Sequence, residues 1–160
     1  SYYTGLLWAL EGLAWMPELL SRVTLVLGDL ATKDPGGRLQ NRPINSLYDI
    51  YRPWYPQTFA PLESRIEALR LLQNHNKEVG WIILTRMLPN NGRSSADHTH
   101  KMRWRLSDQP RRQNMNYEER NNTYKLVMEL LIENFDNTKA KLTRLIERSA
   151  SLNYFERQKL

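Results

Sequence analysis

Three side chains that can bind a metal ion lie within four positions near the middle of the chain. The stretch DHTHKMRWR, residues 97–105, contains Asp97, His98 and His100. In an extended backbone alternate side chains share a face, so the two histidines could bind one ion. The remaining histidine is His75, and no Glu-x-x-His or His-Glu-x-x-His pattern accompanies the pair. Solvated loop histidines are therefore the favoured interpretation, and we predict neither a bound metal nor a cofactor.

The same part of the chain is strongly basic. Residues 89–116 contain six basic side chains against two acidic ones. The six are Arg93, Lys101, Arg103, Arg105, Arg111 and Arg112. Because Trp104 lies between two of these arginines, the segment could bind nucleic acid, with phosphates on the cations and a base on the indole ring. Alternatively, the cations pair with acidic residues of flanking helices, such as Glu118 and Glu119, or Trp104 anchors the segment to the core.

Aromatic residues and prolines alternate in RPWYPQTFAP, residues 52–61. One interpretation is a groove in which Trp54 and Tyr55 stack on a peptide or a base. The favoured interpretation is a joint between two helices, stiffened by three prolines and held in place by aromatic side chains. In either case Trp54, Tyr55 and Trp104 are the candidate residues for contact with a protein partner.

Sequence signatures of enzymes are missing. The chain has neither a glycine-rich phosphate loop nor a Gly-x-Ser-x-Gly elbow. Cysteine is absent, which excludes disulfides, thiolate metal sites and a cysteine nucleophile and fits a reducing cytoplasm. No pair of carboxylates lies in an apolar stretch that would raise a pKa. We therefore predict that this segment has no catalytic residues and that the protein is cytoplasmic.

Length and composition indicate a globular chain. With 160 residues, of which 41% are hydrophobic and 25% charged, the chain can form one domain with a substantial core. The net charge of +6 permits an acidic partner. No apolar run approaches the roughly 18 residues needed to cross a bilayer. The start, SYYTGLLWALEGLAW, does not resemble a signal peptide and lacks Met, so we expect a segment of a longer protein.

Apolar residues recur at spacings of three and four in both halves of the chain, whereas sustained alternation is missing, so helices are predicted throughout. The first covers residues 6–15 and is apolar nearly all round, as a buried helix would be. Pro17 is expected to open the second, which KDPGG ends. Its predicted apolar stripe comprises Leu19, Leu20, Val23, Val26, Leu27 and Leu30.

The sequence of the middle and C-terminal parts of the chain predicts five or more further helices. The third runs from about residue 44 to 51, and Pro61 opens the fourth, in which Glu63, Arg65, Glu67 and Arg70 are expected to face water. Residues 79–87 belong to the fifth, which precedes the inserted polar and basic loop 89–116. Beyond the loop we predict helices with two apolar stripes. These are Tyr124, Val127, Leu130, Leu131 and Phe135, and then Leu142, Leu145, Ile146 and Leu152.

A short repeat bears on the architecture. Ser21-Arg22-Val23 and Ser64-Arg65-Ile66 each follow a proline, at an offset of 43 residues, which lies within the period of helical-hairpin repeats. The predicted fold class is all-α with about six to eight helices. The alternatives are an array of hairpins like the HEAT and armadillo solenoids and an irregular bundle. Residues 1–160 would be a single domain or part of a longer array.

Several short motifs resemble a helical segment of very large bacterial proteins that are similar to STAND-type NTPases, the class that includes anti-phage defence sensors. The similarity covers roughly residues 6–105. The motifs are KDPGGR (33–38), NRP (41–43), NSL (45–47), PW (53–54), PQT (56–58), VGW (79–81), LP (88–89), TH (99–100) and RWR (103–105). The resemblance implies that the NTPase and any effector lie outside this segment, and it assigns no catalytic residue.

From these observations we expect a non-catalytic helical scaffold or protein-recognition segment of a larger intracellular bacterial protein, with a protein or another domain of the same chain as its partner. The extended surface of a helical array would suit recognition. The alternative is nucleic-acid binding through the basic loop, residues 93–112.

Overall fold

The computed structural model describes residues 2–37, 41–89 and 116–157, with side chains described as far as residue 148. Seven α-helices and one 3-10 turn, Pro17–Leu19, occur in these ranges, which contain no strand. The helices are α1 (Tyr2–Leu13), α2 (Leu20–Lys33), α3 (Pro43–Tyr51), α4 (Leu62–His75), α5 (Lys77–Met87), α6 (Tyr117–Glu133) and α7 (Lys139–Arg157). The predicted all-α fold class is confirmed.

The helices are arranged in two layers. α1, α3, α5 and α7 follow one another in the first layer, and α2, α4 and α6 form the second. The most extensive contacts join α2 to α4 and α4 to α5, and the helices that pack on each other are at most three places apart along the chain. Stacked helical hairpins have contacts of this local kind. The relation to HEAT or armadillo arrays stays a prediction.

One apolar core lies between the layers. Its fully buried side chains come from nearly every helix, including Leu27 of α2, Leu47 of α3, Leu72 of α4, Leu84 of α5 and Val127 of α6. The helices on either side of residues 90–115 therefore share the same core. Each buried leucine or valine contributes about 1.5–3 kcal/mol relative to an exposed one, so this core is the main source of stability.

The first helix is less buried than its composition predicted. Leu7 and Leu10 are buried, whereas Leu6 and Trp8 are exposed. The expectation of burial nearly all round was wrong because α1 lies at the end of its layer, where α2 and α3 cover one side alone. Composition shows that a helix is apolar, but the number of its neighbours decides how much of it is buried.

The second helix also begins later than predicted. Pro17 opens a 3-10 turn, and the α-helix starts at Leu20. A 3-10 turn of this length is common at the N-terminus of an α-helix. Within the predicted stripe Leu20 and Leu27 are buried, but Val26 is exposed.

The helices predicted in the middle of the chain are confirmed. The third was expected from about residue 44 to 51 and spans Pro43–Tyr51, and the fourth begins directly after Pro61. Asn76 separates α4 from α5, and its side-chain oxygen accepts a hydrogen bond of 3.2 Å from the Val79 N–H. Such an N-cap satisfies one of the donors that a helix start leaves open.

One residue of the fourth helix is buried although it was predicted to face water. Glu63, Glu67 and Arg70 are exposed as expected, whereas Arg65 is buried and its guanidinium donates a hydrogen bond to the Glu119 carboxylate of α6. The prediction that Arg65 faces water was wrong because α6 covers this side of α4. Arg22, at the corresponding place in the 43-residue repeat, is exposed, so the two copies have different environments.

Candidate functional site

The aromatic and proline-rich segment 52–61 is an ordered joint between α3 and α4. The Gln57 N–H donates to the Ile50 carbonyl at 2.9 Å, and the Phe59 N–H donates to the Trp15 carbonyl at 3.1 Å. The rings of Trp15 and Phe59 meet edge to face with centroids 5.0 Å apart. The joint is therefore fixed both to the end of α3 and to the turn that follows α1.

The two candidate partner-binding residues of the joint are half-buried. Trp54 packs edge-on against Tyr48 of α3, with ring centroids 6.3 Å apart, and Tyr55 donates its backbone N–H to the Arg52 carbonyl at 3.3 Å. Each ring thus contributes to the joint and keeps part of its surface accessible. The packing accounts for the residue types, and the role in partner binding stays a prediction.

Removing the Trp54 ring tests how much the ring stabilises the joint. We expect Trp54→Ala to lower the free energy of unfolding by about 2 kcal/mol, because a half-buried ring loses part of the 3–5 kcal/mol typical of a fully buried one. Urea unfolding followed by circular dichroism measures the change. Trp8→Ala in α1, an exposed tryptophan, is the matched control and should cost less. Equal stability of Trp54→Ala and the unchanged protein would show that the ring does not support the joint.

A second ordered element closes the turn after α2. The Gly36 N–H donates to Asp34 Oδ1 at 3.1 Å, Arg42 Nε donates to Asp34 Oδ2 at 2.8 Å, and Arg42 Nη1 donates to the Gly37 carbonyl at 3.1 Å. The bond from Arg42 holds the pKa of the Asp34 carboxyl below its usual value. Gly36 and Gly37 have φ of +86° and +132°, which favour glycine. They lie beyond the helix end at Lys33, so neither is the direct cap that KDPGG predicted.

A cavity of about 370 Å³ lies beside this turn and the start of α1. Its volume falls in the lower part of the range of small-molecule sites. It is lined by Tyr3, Thr4, Leu30, Lys33, Asp34, Pro35, Gly36, Asn41 and Arg42. Because Asp34 and Arg42 are already paired with each other, the lining offers a mostly apolar surface without a converging set of polar groups.

Buried polar contacts connect helices rather than forming a reactive group. Thr24 and Tyr51 share a hydrogen bond between α2 and α3, and burial raises the pKa of the Tyr51 hydroxyl, which stays protonated. The Ser46 hydroxyl donates to the Glu11 carboxylate at 2.7 Å, which joins α3 to α1. Each of these four side chains is thus held by a partner on another helix, and sequence spacing does not show these pairs.

The loop residues singled out in the sequence lie outside the described ranges. These are Arg93, Asp97, His98, His100, Lys101, Arg103, Trp104, Arg105, Arg111 and Arg112. Their assignment to metal, partner or nucleic acid therefore stays a prediction. Among the described residues, no three His, Asp or Glu side chains lie close enough together to hold a metal ion. His75 contacts Asp29 instead, with Nε2 and Oδ1 2.8 Å apart.

Apolar side chains are exposed at both ends of the two-layer stack. On α7, Leu142 and Ile146 are 47% and 59% exposed, while Leu145 packs against the core. Leu142 and Ile146, which we call the α7 face, lie four residues apart and hence on the same side of the helix. At the other end, Leu6 and Trp8 of α1 are exposed. No helix in the described part of the chain is long and apolar enough to span a membrane.

Comparison with known proteins identifies no relative. No family model matches the chain, and neither a curated protein nor a solved structure does.

Proposed function

We propose that this chain is a non-catalytic helical scaffold or recognition segment of a larger intracellular bacterial protein. The observation that carries the proposal is the exposure of apolar side chains at both ends of the stack, on α1 and on the α7 face. Helical arrays bury such side chains against the next helices, and terminal helices need a polar outer face. The exposed faces therefore favour further helices as the partners of both ends.

The contacts of a charged side chain on α7 fit the same proposal. Lys141 on α7 is paired with Asp136 at 2.6 Å and lies 5.0 Å from the centre of the Trp81 ring, so the helix is fixed to α5 on its inner side. The α7 face is then held in a defined position for a docking helix. The motif resemblance to STAND-type NTPases adds a context, in which the NTPase of a defence-type protein lies elsewhere in the polypeptide.

Self-association of the isolated chain tests this proposal. If each end takes up an apolar helix, the side of α1 that exposes Leu6 in one copy can stack on the α7 face of the next. A head-to-tail contact of this kind continues without closing. We expect sedimentation velocity to show assemblies that grow with concentration. The double variant Leu142→Glu plus Ile146→Glu should be restricted to small species, with a free energy of unfolding changed by less than about 1 kcal/mol, because both residues are already half-exposed.

Two further variants make the test specific. Leu145→Glu, one position from the α7 face, places a charge against the core and should destabilise the fold by more than about 2 kcal/mol. A mixture of the α7 double variant with Leu6→Glu has one intact face on each partner and should stop at the dimer. A chain that stays monomeric at all concentrations would contradict the proposal.

A further inference from the structure

One side of α3 is polar although the helix is short. On α3 and at the residue flanking each of its ends, polar side chains recur at spacings of three and four, and all but the buried Arg52 are partly accessible: Arg42, Asn45, Tyr48, Asp49 and Arg52. The opposite side of the helix is buried. The polar side therefore faces outward from the layer formed by α1, α3, α5 and α7.

The neighbouring helices of the same layer add further arginines beside α3. Arg86 of α5 donates from Nη1 to Asn45 Oδ1 at 3.0 Å. Arg144 and Arg148 of α7 lie four residues apart, so they share one side of that helix. We call the set of Arg42, Arg52, Arg86, Arg144 and Arg148 the arginine surface.

α5 contacts both α3 and α7, which brings side chains of the three helices near one another. Burial lowers the pKa of the Arg86 guanidinium, and the charges of Arg144 and Arg42 lower it further. Burial raises the pKa of the Tyr48 hydroxyl, whereas Arg52, Arg86 and Arg148 act in the opposite direction. Groups on α3, α5 and α7 thus influence each other directly.

Acidic side chains neutralise part of the arginine surface. Arg42 is paired with Asp34, and Arg52 with Asp49. Among the described residues, no carboxylate lies within ion-pair distance of Arg86, Arg144 or Arg148. Tyr48 and Asp49 offset part of the effect of Arg144 and Arg42 on the pKa of Arg86, and the three arginines together leave an excess of positive charge. Because the guanidinium fork matches phosphate in a way that lysine does not, a set made up of arginines favours a phosphate-bearing ligand.

An aromatic side chain lies beside the same surface. Trp54 packs edge-on against Tyr48, with centroids 6.3 Å apart, and is half-buried. A strand of nucleotides offers phosphates to arginines and bases to an aromatic ring, whereas an acidic peptide would use the cations alone. The combination therefore favours nucleic acid over an acidic protein segment.

We propose that the arginine surface binds single-stranded nucleic acid, with phosphates on Arg86, Arg144 and Arg148 and a base on Trp54. The site includes no residue of the loop 93–112, and it does not depend on the end faces that support the scaffold function. It would give a recognition segment a second kind of partner.

Fluorescence anisotropy tests the proposal. It follows the binding of labelled 12-nucleotide oligo(dT) and oligo(U) to the full chain at about 0.05 to 0.3 M salt. Arg86, Arg144 and Arg148 are changed together to Gln, which keeps a hydrogen-bond donor at each position. We expect a loss of about 100-fold at 0.1 M salt and a decrease of about two in the salt slope, since each phosphate contact to a single strand contributes about 0.7. Trp54→Leu should weaken binding about tenfold with the slope unchanged.

Matched controls decide between the alternatives. Changing Arg22, Lys77 and Lys125 to Gln removes the same charge from exposed positions elsewhere and should leave affinity within about threefold. An equal loss in this control, or no binding at 0.05 M salt, would overturn the proposal. So would poly-glutamate that binds as tightly as the oligonucleotides, which would indicate an acidic protein partner. A loop variant changes four residues to Gln: Arg103, Arg105, Arg111 and Arg112. If this variant lost binding while the surface variant kept it, the site would lie in the loop instead.

Discussion

Gly80→Ala is expected to lower the free energy of unfolding by about 3 kcal/mol, although alanine in place of glycine normally stabilises a helix interior by about 1 kcal/mol. A Cβ at position 80 of α5 would lie 2.0 Å from Gln73 Oε1 and 2.9 Å from the Gln73 Cα of α4. The amide side chain can turn away, but the backbone cannot do so without separating the two helices. Because Gln73 is buried, that separation would disturb the core.

Two other helical glycines provide a graded comparison. A Cβ at Gly5 of α1 meets nothing within 4 Å, so Gly5→Ala should stabilise the protein by up to about 1 kcal/mol. At Gly28 the nearest atom is Leu72 Cδ1 at 2.6 Å, the end of a flexible side chain, and we expect a loss of about 1 kcal/mol. Urea unfolding of the three variants measures the order. If Gly80→Ala were as stable as Gly5→Ala, the close approach of α4 and α5 would be disproved.

Breaking the ion pair between α4 and α6 is also expected to destabilise the protein. The Arg65 side chain is 5% exposed and the Glu119 side chain is 39% exposed. Removing the charge of Glu119 therefore leaves a buried positive charge on Arg65 without its partner. Burial lowers the pKa of Arg65, and Glu119 acts against that shift. We expect Glu119→Gln to cost about 2 kcal/mol, below the 3–5 kcal/mol of a fully buried pair because Glu119 is partly solvated.

Removing the arginine should cost less than removing its partner. Arg65→Met keeps most of the buried volume and leaves Glu119 in contact with water, so a change within about 1 kcal/mol is expected. In the Arg65→Met background, Glu119→Gln should then be nearly neutral, which a double-mutant cycle measures.

The chain contains a matched exposed pair between the same two helices. Arg70 Nη1 and Glu133 Oε2 lie 2.6 Å apart, with both side chains nearly half exposed. Glu133→Gln should cost no more than about 0.5 kcal/mol, as exposed ion pairs usually do. Equal losses for Glu133→Gln and Glu119→Gln would mean that the burial of Arg65 has no energetic consequence.

The sequence alone determined where the helices in the middle of the chain lie. Apolar residues at spacings of three and four, with Pro61 as a start signal, predicted α3, α4 and α5 to within about two residues. These features act within one or two turns of the backbone, because a proline removes a hydrogen bond and a cap satisfies one locally. Local signals of this kind can be read without knowing which helices become neighbours.

Only the tertiary structure decided which sides of the helices are covered. Arg65 has the spacing of a solvent-facing residue, yet α6 packs over it, and Leu6 has the setting of a core residue, yet no described helix covers it. The arginine surface likewise depends on side chains from three helices that are up to 106 positions apart, from Arg42 to Arg148. Burial and charge density depend on neighbours brought together by packing, and a periodic pattern along one helix carries no information about them.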